Sequence, residues 1–215
     1  MGNSRILVAI DSQEKHKAID LARNLSDDIF GVKINWPLVL EEGAEIISKI
    51  SRYSRVICDF KVADIPNTNR LIAEKVHSHG AYGIIAHAVT GEDSLRAITG
   101  VSADLKLITV VAMSHPGAQA FLNPLSERLI AVARSVGSYG IVAPGNATEI
   151  IARLRAEAGE MKIFSPGIGA QGGNPVEAIK SGADYVIIGR TIYQSDDPLE
   201  AVSRYNAEIS ASGIR

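Results

Sequence analysis

Eight short apolar runs, each followed by a longer amphipathic stretch, recur along 215 residues and leave few architectures open. The strand candidates fall at 5–10, 31–34, 55–60, 83–87, 106–111, 139–142, 162–165 and 185–189, and most are apolar nearly throughout. Continuous hydrophobic runs of this length mark strands covered on both faces, as in parallel sheets flanked by helices. Helix candidates between them include 13–24, 37–51, 67–79, 126–136, 147–158 and 176–181. Pro37 and Pro66 fit first-turn positions, where a missing N–H is no loss, and Gly80 and Gly182 fit C-terminal caps. Eight βα units with no linker or low-complexity segment predict an α/β fold, a (β/α)8 TIM barrel forming a single domain over residues 1–215. An open doubly wound sheet would share the alternation, but no G-x-G-x-x-G follows the first strand.

In such a barrel the chemistry sits on the C-terminal ends of the strands. That rule gathers Asp11, Lys33, Asp59, Lys61, His87, Ser114, Ser165, Pro166, Gly189 and Arg190 into one rim, whereas Arg5, Arg55, Lys106 and Lys162 at the other ends read as solubilising positions. The densest part is Asp59-Phe60-Lys61-Val62-Ala63-Asp64-Ile65-Pro66. Side chains alternate along a strand, so Asp59 and Lys61 share one interior face and Phe60 takes the other. Burying a charge costs several kcal/mol per ion before pairing offsets it. A carboxylate, an ammonium and a second carboxylate at Asp64 form a plausible proton-transfer and electrostatic device.

The stretch 165–173, Ser-Pro-Gly-Ile-Gly-Ala-Gln-Gly-Gly, follows the seventh strand, and Gly189-Arg190-Thr191 follows the eighth. Barrels frequently bind phosphate there through backbone N–H groups. Glycines let the main chain approach an anion, Gln171 offers an amide, and Arg190 can chelate two oxygens, unless it pairs instead with Asp196 or Asp197.

Composition narrows the partners. A hydrophobic share of 46% provides for a sizeable core, and a net charge of −2 gives no electrostatic reason to bind nucleic acid or an anionic membrane. The single Cys58, in an apolar run, reads as a core residue in a reducing compartment. With no signal-like h-region and no apolar run near the roughly 18 residues of a membrane span, a cytoplasmic location is expected.

The Asp59 to Pro66 run with Thr68-Asn69, the segment Met113-Ser114-His115-Pro116-Gly117, the 165–173 loop and Ile188-Gly189-Arg190 together resemble orotidine 5'-monophosphate decarboxylases, especially short archaeal-type members. The resemblance covers nearly the whole chain. It implies cofactor-free decarboxylation of a nucleotide to uridine 5'-monophosphate, in pyrimidine synthesis, by a homodimer with sites at its interface and no metal. It further implies a charged network of Asp59, Lys61, Asp64 and Lys33, with Asp64, Ile65 and Thr68 reaching the partner's site. Asp11 matches a ribose-contacting acid, Ile65 an apolar lining residue, and Thr68 a ribose contact. Ser114 is similar to the serine that reads the pyrimidine amide edge, Pro166 to the residue packing the base, and Gln171, Gly189 and Arg190 to the phosphate binders. His87 is assigned no chemistry.

Two other readings stay open on residues alone. Glu41 and Glu42 could join Asp59 around a hard cation in a metal-assisted sugar-phosphate decarboxylase, although they fit the opening of a helix better. A non-catalytic nucleotide-binding barrel would need the phosphate loops but not the charged triad.

Overall fold

The computed structural model describes residues 4–11 and 15–213. Eight parallel strands close into a barrel in sequence order, each pairing with the next and the eighth with the first. They are β1 (Ile6–Ile10), β2 (Gly31–Asn35), β3 (Val56–Val62), β4 (Gly83–His87), β5 (Lys106–Val110), β6 (Gly140–Val142), β7 (Lys162–Pro166) and β8 (Tyr185–Ile188). The helices are α1 (Lys15–Asn24), α2 (Trp36–Glu42), α3 (Glu45–Ser51), α4 (Pro66–Ser78), α5 (Glu92–Thr99), α6 (Pro116–Ala120), α7 (Ser126–Ser135), α8 (Thr148–Ala158), α9 (Pro175–Lys180), α10 (Arg190–Tyr193) and α11 (Pro198–Ala211).

Alternation along the strands splits the apolar residues into two layers. Leu7, Ala9, Ile57, Ile85, Ile108, Val110, Val142, Phe164 and Ile187 fill the barrel, while Ile6, Val8, Ile10, Val32 and Ile34 pack outward against the helices. The register sets Ala9 beside Lys33 and Asn35 beside Asp59. The positions that carry leucine or isoleucine low in the barrel therefore carry charge at its upper end.

The lower end is closed by aromatic rings. Phe30, Tyr82 and Tyr139 each precede a glycine that begins an even-numbered strand, and Tyr185 begins β8. A Cβ on Gly31, Gly83 or Gly140 would stand 2.7, 2.9 or 2.6 Å from the carbonyl oxygen of Arg55, just before β3, of Lys106 in β5 or of Lys162 in β7, so close strand approach requires glycine there. The rings of Phe30 and Tyr185 lie 4.0 Å apart, and those of Phe164 and Tyr185 stack at 4.8 Å. The Arg55 guanidinium lies 4.9 Å over Phe30 and 5.6 Å from Tyr82. Cation–π contacts of this kind contribute about 0.5–2 kcal/mol each. Burial and the Tyr139 hydroxyl push the Tyr82 hydroxyl up to about 12. Arg55 is thus part of a plug rather than a solubilising group, and Lys162 pairs with Asp184 at 3.1 Å.

The helix expected over 37–51 is two helices. Gly43, at φ +77°, breaks it and donates its N–H to Val39 O, a conformation that would strain any residue with a Cβ. Glu41 and Glu42 consequently close α2 instead of opening a helix. The caps at Gly80 and Gly182 form with positive φ, their N–H groups bonding to His77 O and Ile179 O. Residues 13 and 14 of the first helix candidate lie outside the described residues, and α1 occupies Lys15–Asn24. Among the described residues no helix is long and apolar enough to cross a membrane.

Candidate active site

At the open end four charged side chains form a continuous chain. Asp59 binds Lys33 Nζ through Oδ2 at 3.0 Å and Lys61 Nζ through Oδ1 at 2.8 Å, and Lys33 Nζ also lies 3.3 Å from Asp11 Oδ1. Lys33 and Asp59 are buried, whereas 40% of the Lys61 side chain is exposed. Burial alone would push Lys33 down, but Asp59 and Asp11, by charge and hydrogen bonding, outweigh it and hold the ammonium above its ordinary value. Burial likewise pushes Asp59 up, and the two lysines outweigh it and hold the carboxyl below the usual carboxylate range. Both charges persist at neutral pH because each is bound by more than one opposite charge.

Lys61 owes its place to an irregular strand. The β3–β4 register shifts between Cys58 and Val62, and Lys61 has φ +44°, the one non-glycine residue with positive φ among the described residues. Asn35, two residues after Lys33 on the same face, donates Nδ2–H to Asp11 Oδ1 at 3.0 Å. Its Oδ1 is buried without a protein partner. The same parity that placed Asp59 with Lys61 would have found Asn35.

Two adjoining cavities open above this network. One, of about 270 Å³, is lined by Asp11, Lys33, Asn35, Asp59, Lys61, Gly167, Gln171, Gly189 and Arg190 among others. The second, of about 150 Å³, is mostly apolar, with Ile85, Val110, Ala112 and Val142 below and Ser114 at its edge. They share Asp59, Lys61, Pro166, Gln171 and Ile187. Together they reach the size of small-ligand sites, about 300–1,000 Å³.

The polar cavity is walled by the two glycine-containing loops. Gly167, Gly169 and Gly172 have φ between +72° and +97°, and Gly169 and Gly173 close the loop by backbone hydrogen bonding at 2.9 Å. A Cβ on Gly169 would meet Thr191 Oγ1 at 2.8 Å, so the loop after β7 packs directly on α10. Tyr205 of α11 donates its hydroxyl to Thr191 Oγ1 at 3.3 Å and braces that helix. Among the described residues Arg190 makes no ion pair; Asp197 instead accepts from Glu200 N and caps α11. A guanidinium without an ion-pair partner among the described residues, the Gln171 amide and bare backbone suit an anion with several oxygens.

The sequence-derived set divides in two. Asp11, Lys33, Asp59, Lys61, Pro166, Gln171, Gly189 and Arg190 line the polar cavity, and Ser114 lines its apolar neighbour. Asp64, Ile65 and Thr68 line neither. Asp64 and Ile65 are exposed, Ile65 at 65%. Their loop is nonetheless fixed from beneath: Asn69, fully buried, accepts from Asp64 N at 3.1 Å, and Ser94 Oγ donates to Asp64 O at 2.9 Å. Asn123 plays a similar part beside Ser114, bonding both the N–H and the carbonyl of Met113 at 3.0 Å. Neither role leaves a periodic trace in sequence.

His87 ends β4, and burial, then the Lys61 charge, push its imidazole down against the opposing pull of Asp59. It lines neither cavity. The Cys58 thiol is fully buried and pushed up by burial, so it is unreactive. Glu41 and Glu42 are absent from both cavity walls, so the carboxylate set of a metal-assisted reading is not assembled.

A closed barrel with a lysine–aspartate network beneath glycine-containing loops after β7 and β8 is the architecture of (β/α)8 enzymes whose sites lie at the C-terminal ends of the strands. The chain belongs to the orotidine 5'-phosphate decarboxylase / HUMPS family, whose profile matches residues 4–205. It is 47% identical to the orotidine 5'-phosphate decarboxylase of Thermoplasma acidophilum over 98% of this chain and 97% of the relative. The crystal structure of the enzyme from Pyrococcus horikoshii OT3 matches with a TM-score of 0.89 and 44% identity, covering 95% of this chain and 99% of that one. The Methanocaldococcus jannaschii enzyme, crystallised with inhibitor BMP, matches with a TM-score of 0.90 and 37% identity over 96% and 98% of the two chains.

Proposed function

We propose that this chain decarboxylates orotidine 5'-monophosphate to uridine 5'-monophosphate without a cofactor, as one barrel domain spanning residues 1–215 in a cytoplasmic homodimer. The observation that carries the reading is Asp59 holding Lys33 and Lys61 on separate oxygens at the junction of an anion-binding cavity and an apolar one. The phosphate goes to Gln171, Gly189, Arg190 and the loop glycines. The pyrimidine then lies against Pro166 over Ile85, Val110 and Val142, with Ser114 at its amide edge. The ribose falls beside Asp11 and Lys33.

This pose brings the substrate's C6 carboxylate to Asp59 and Lys61. The C6–carboxylate bond breaks, carbon dioxide leaves, and the electron pair stays on C6, where no adjacent carbonyl forms an ordinary enolate. The Lys61 ammonium stabilises that pair more than it does the substrate. It then gives C6 a proton and is reprotonated from solvent. At an effective dielectric near 20, a unit charge about 4 Å away is worth roughly 4 kcal/mol, which shows why water exclusion by the glycine loop matters. Asp59 holds the Lys61 side chain in place through their ion pair. Phosphate contacts remote from C6 supply the binding energy for closing the loop.

Asp64, Ile65 and Thr68 act in the neighbouring subunit's site. The exposure of Asp64 and Ile65 supports this, as do the exposed apolar side chains of Leu71 on α4 and Val89 after β4. The test is to follow orotidine 5'-monophosphate absorbance with purified, chelator-treated protein alongside Lys61→Ala. Wild-type turnover to uridine 5'-monophosphate is expected, with a loss of at least about a thousandfold in the variant. An inactive wild type, or a variant with near-normal kcat, would overturn the reading.

A further inference from the structure

The geometry points to Trp36 as a positioning residue for Lys61, acting through the peptide that joins Phe60 to Lys61. Lys61 is held at φ +44° where the β3–β4 register slips. A non-glycine residue in that region is strained, and it persists only where its surroundings over-determine it. The ion pair with Asp59 fixes the far end of the side chain but does not fix the backbone.

Trp36 fixes the backbone from two sides. Its Nε1–H donates to the Phe60 carbonyl oxygen at 3.0 Å, and that carbonyl belongs to the same peptide plane as the Lys61 nitrogen. Its indole also stacks on the Phe60 ring, with centroids 4.2 Å apart and planes at 21°. Phe60 is itself buried, so the stack anchors the peptide to the layer outside the barrel. With Val62 paired to Ala86 on the far side of Lys61, its φ can move toward an ordinary strand value only by turning this peptide, which breaks the indole bond. Trp36 opens α2 directly after Asn35, and β2 pairs with β3 there, so it reaches Phe60 from the adjoining strand.

Trp36 lines neither cavity. Its effect on turnover is expected to pass through Lys61, with nucleotide affinity as the control for a change in the cavity walls, which Asn35 next to it helps to form. This inference rests on the proposed role of Lys61, and its experiment separates the two. Trp36→Phe keeps a ring to stack and loses the donor; Trp36→Leu loses both. Displacing a catalytic group by about 1 Å can cost on the order of a hundredfold in rate. The expected result is a kcat lowered about tenfold in Trp36→Phe and about a hundredfold in Trp36→Leu, with uridine 5'-monophosphate affinity within about twofold of wild type.

Normal kcat in Trp36→Leu would overturn the inference, as would equal losses in kcat and nucleotide affinity, which mark general disruption of the site. A crystal structure of Trp36→Leu decides the point even if the wild type fails to decarboxylate. Lys61 released from positive φ supports the inference, and Lys61 unmoved refutes it.

Discussion

Lys61 Nζ lies 2.8 Å from Asp59 Oδ1 although the backbone between them departs from regular strand geometry. Regular alternation would send both side chains to one face without fixing their separation. The slip in register and the left-handed turn at Lys61 set the ammonium beside the carboxylate while leaving it partly exposed to the cavity. Lys33, on the other oxygen, is almost fully enclosed. One carboxylate thus holds two lysines in unlike surroundings: a buried one that keeps Asp59 ionised, and an accessible one free to meet a ligand.

Arg190 tests the anion site. Charge-assisted hydrogen bonds are worth about 1.5–3 kcal/mol, so Arg190→Ala should weaken uridine 5'-monophosphate roughly ten- to a hundredfold while leaving uridine within about twofold. Titration calorimetry with both ligands measures the difference. Equal losses for nucleotide and nucleoside would place the guanidinium away from the phosphate.

Asp64 tests the shared site. Mixing inactive Lys61→Ala and Asp64→Asn chains under conditions that exchange subunits makes half of the dimers mixed, each with one site carrying both intact residues. Recovery of about a quarter of wild-type activity is expected from a two-fold dimer with sites formed across the interface. No recovery, with exchange confirmed by native mass spectrometry, would confine Asp64 to its own subunit.

Stability should depend on pH with a definite sign. His87 is depressed below 6.5, so the unfolded chain takes up that proton first. Its contribution is complete above pH 6.5 and is lost as the pH falls through the folded value. Asp59, also depressed, keeps its contribution above 3.8 and loses it below. Lys33 is raised, so its contribution is complete below 10.5 and is lost as the pH rises further. Urea midpoints should therefore decline between pH 7 and pH 5, and His87→Gln should flatten that decline. An unchanged slope in the variant would remove His87 as its source.

The barrel was legible because two periodicities, strand and helix, alternate eight times with glycine and proline at their boundaries. The single helix expected over 37–51 ends at Gly43, whose positive φ caps α2 where amphipathic periodicity alone runs on. Asp59 and Lys61 were legible because charge stands out in an apolar run. Asn35 follows the same parity, yet as a neutral amide it raised no alarm. Asn69, Ser94 and Asn123 bond to backbone far along the chain, and such partners have no local signature. Arg55 was misread because a cation at a strand's start ordinarily faces water; here the aromatic residues before Gly31 and Gly83 draw it inward.

The ring plug of Phe30, Tyr82, Tyr139, Phe164 and Tyr185 makes the barrel a cup with one mouth. In the proposed pose, carbon dioxide released above Ile85 and Val142 meets that packing below it. It must leave along the path by which the nucleotide came in, past the loop that follows β7. On the proposed reading both products therefore share a single doorway.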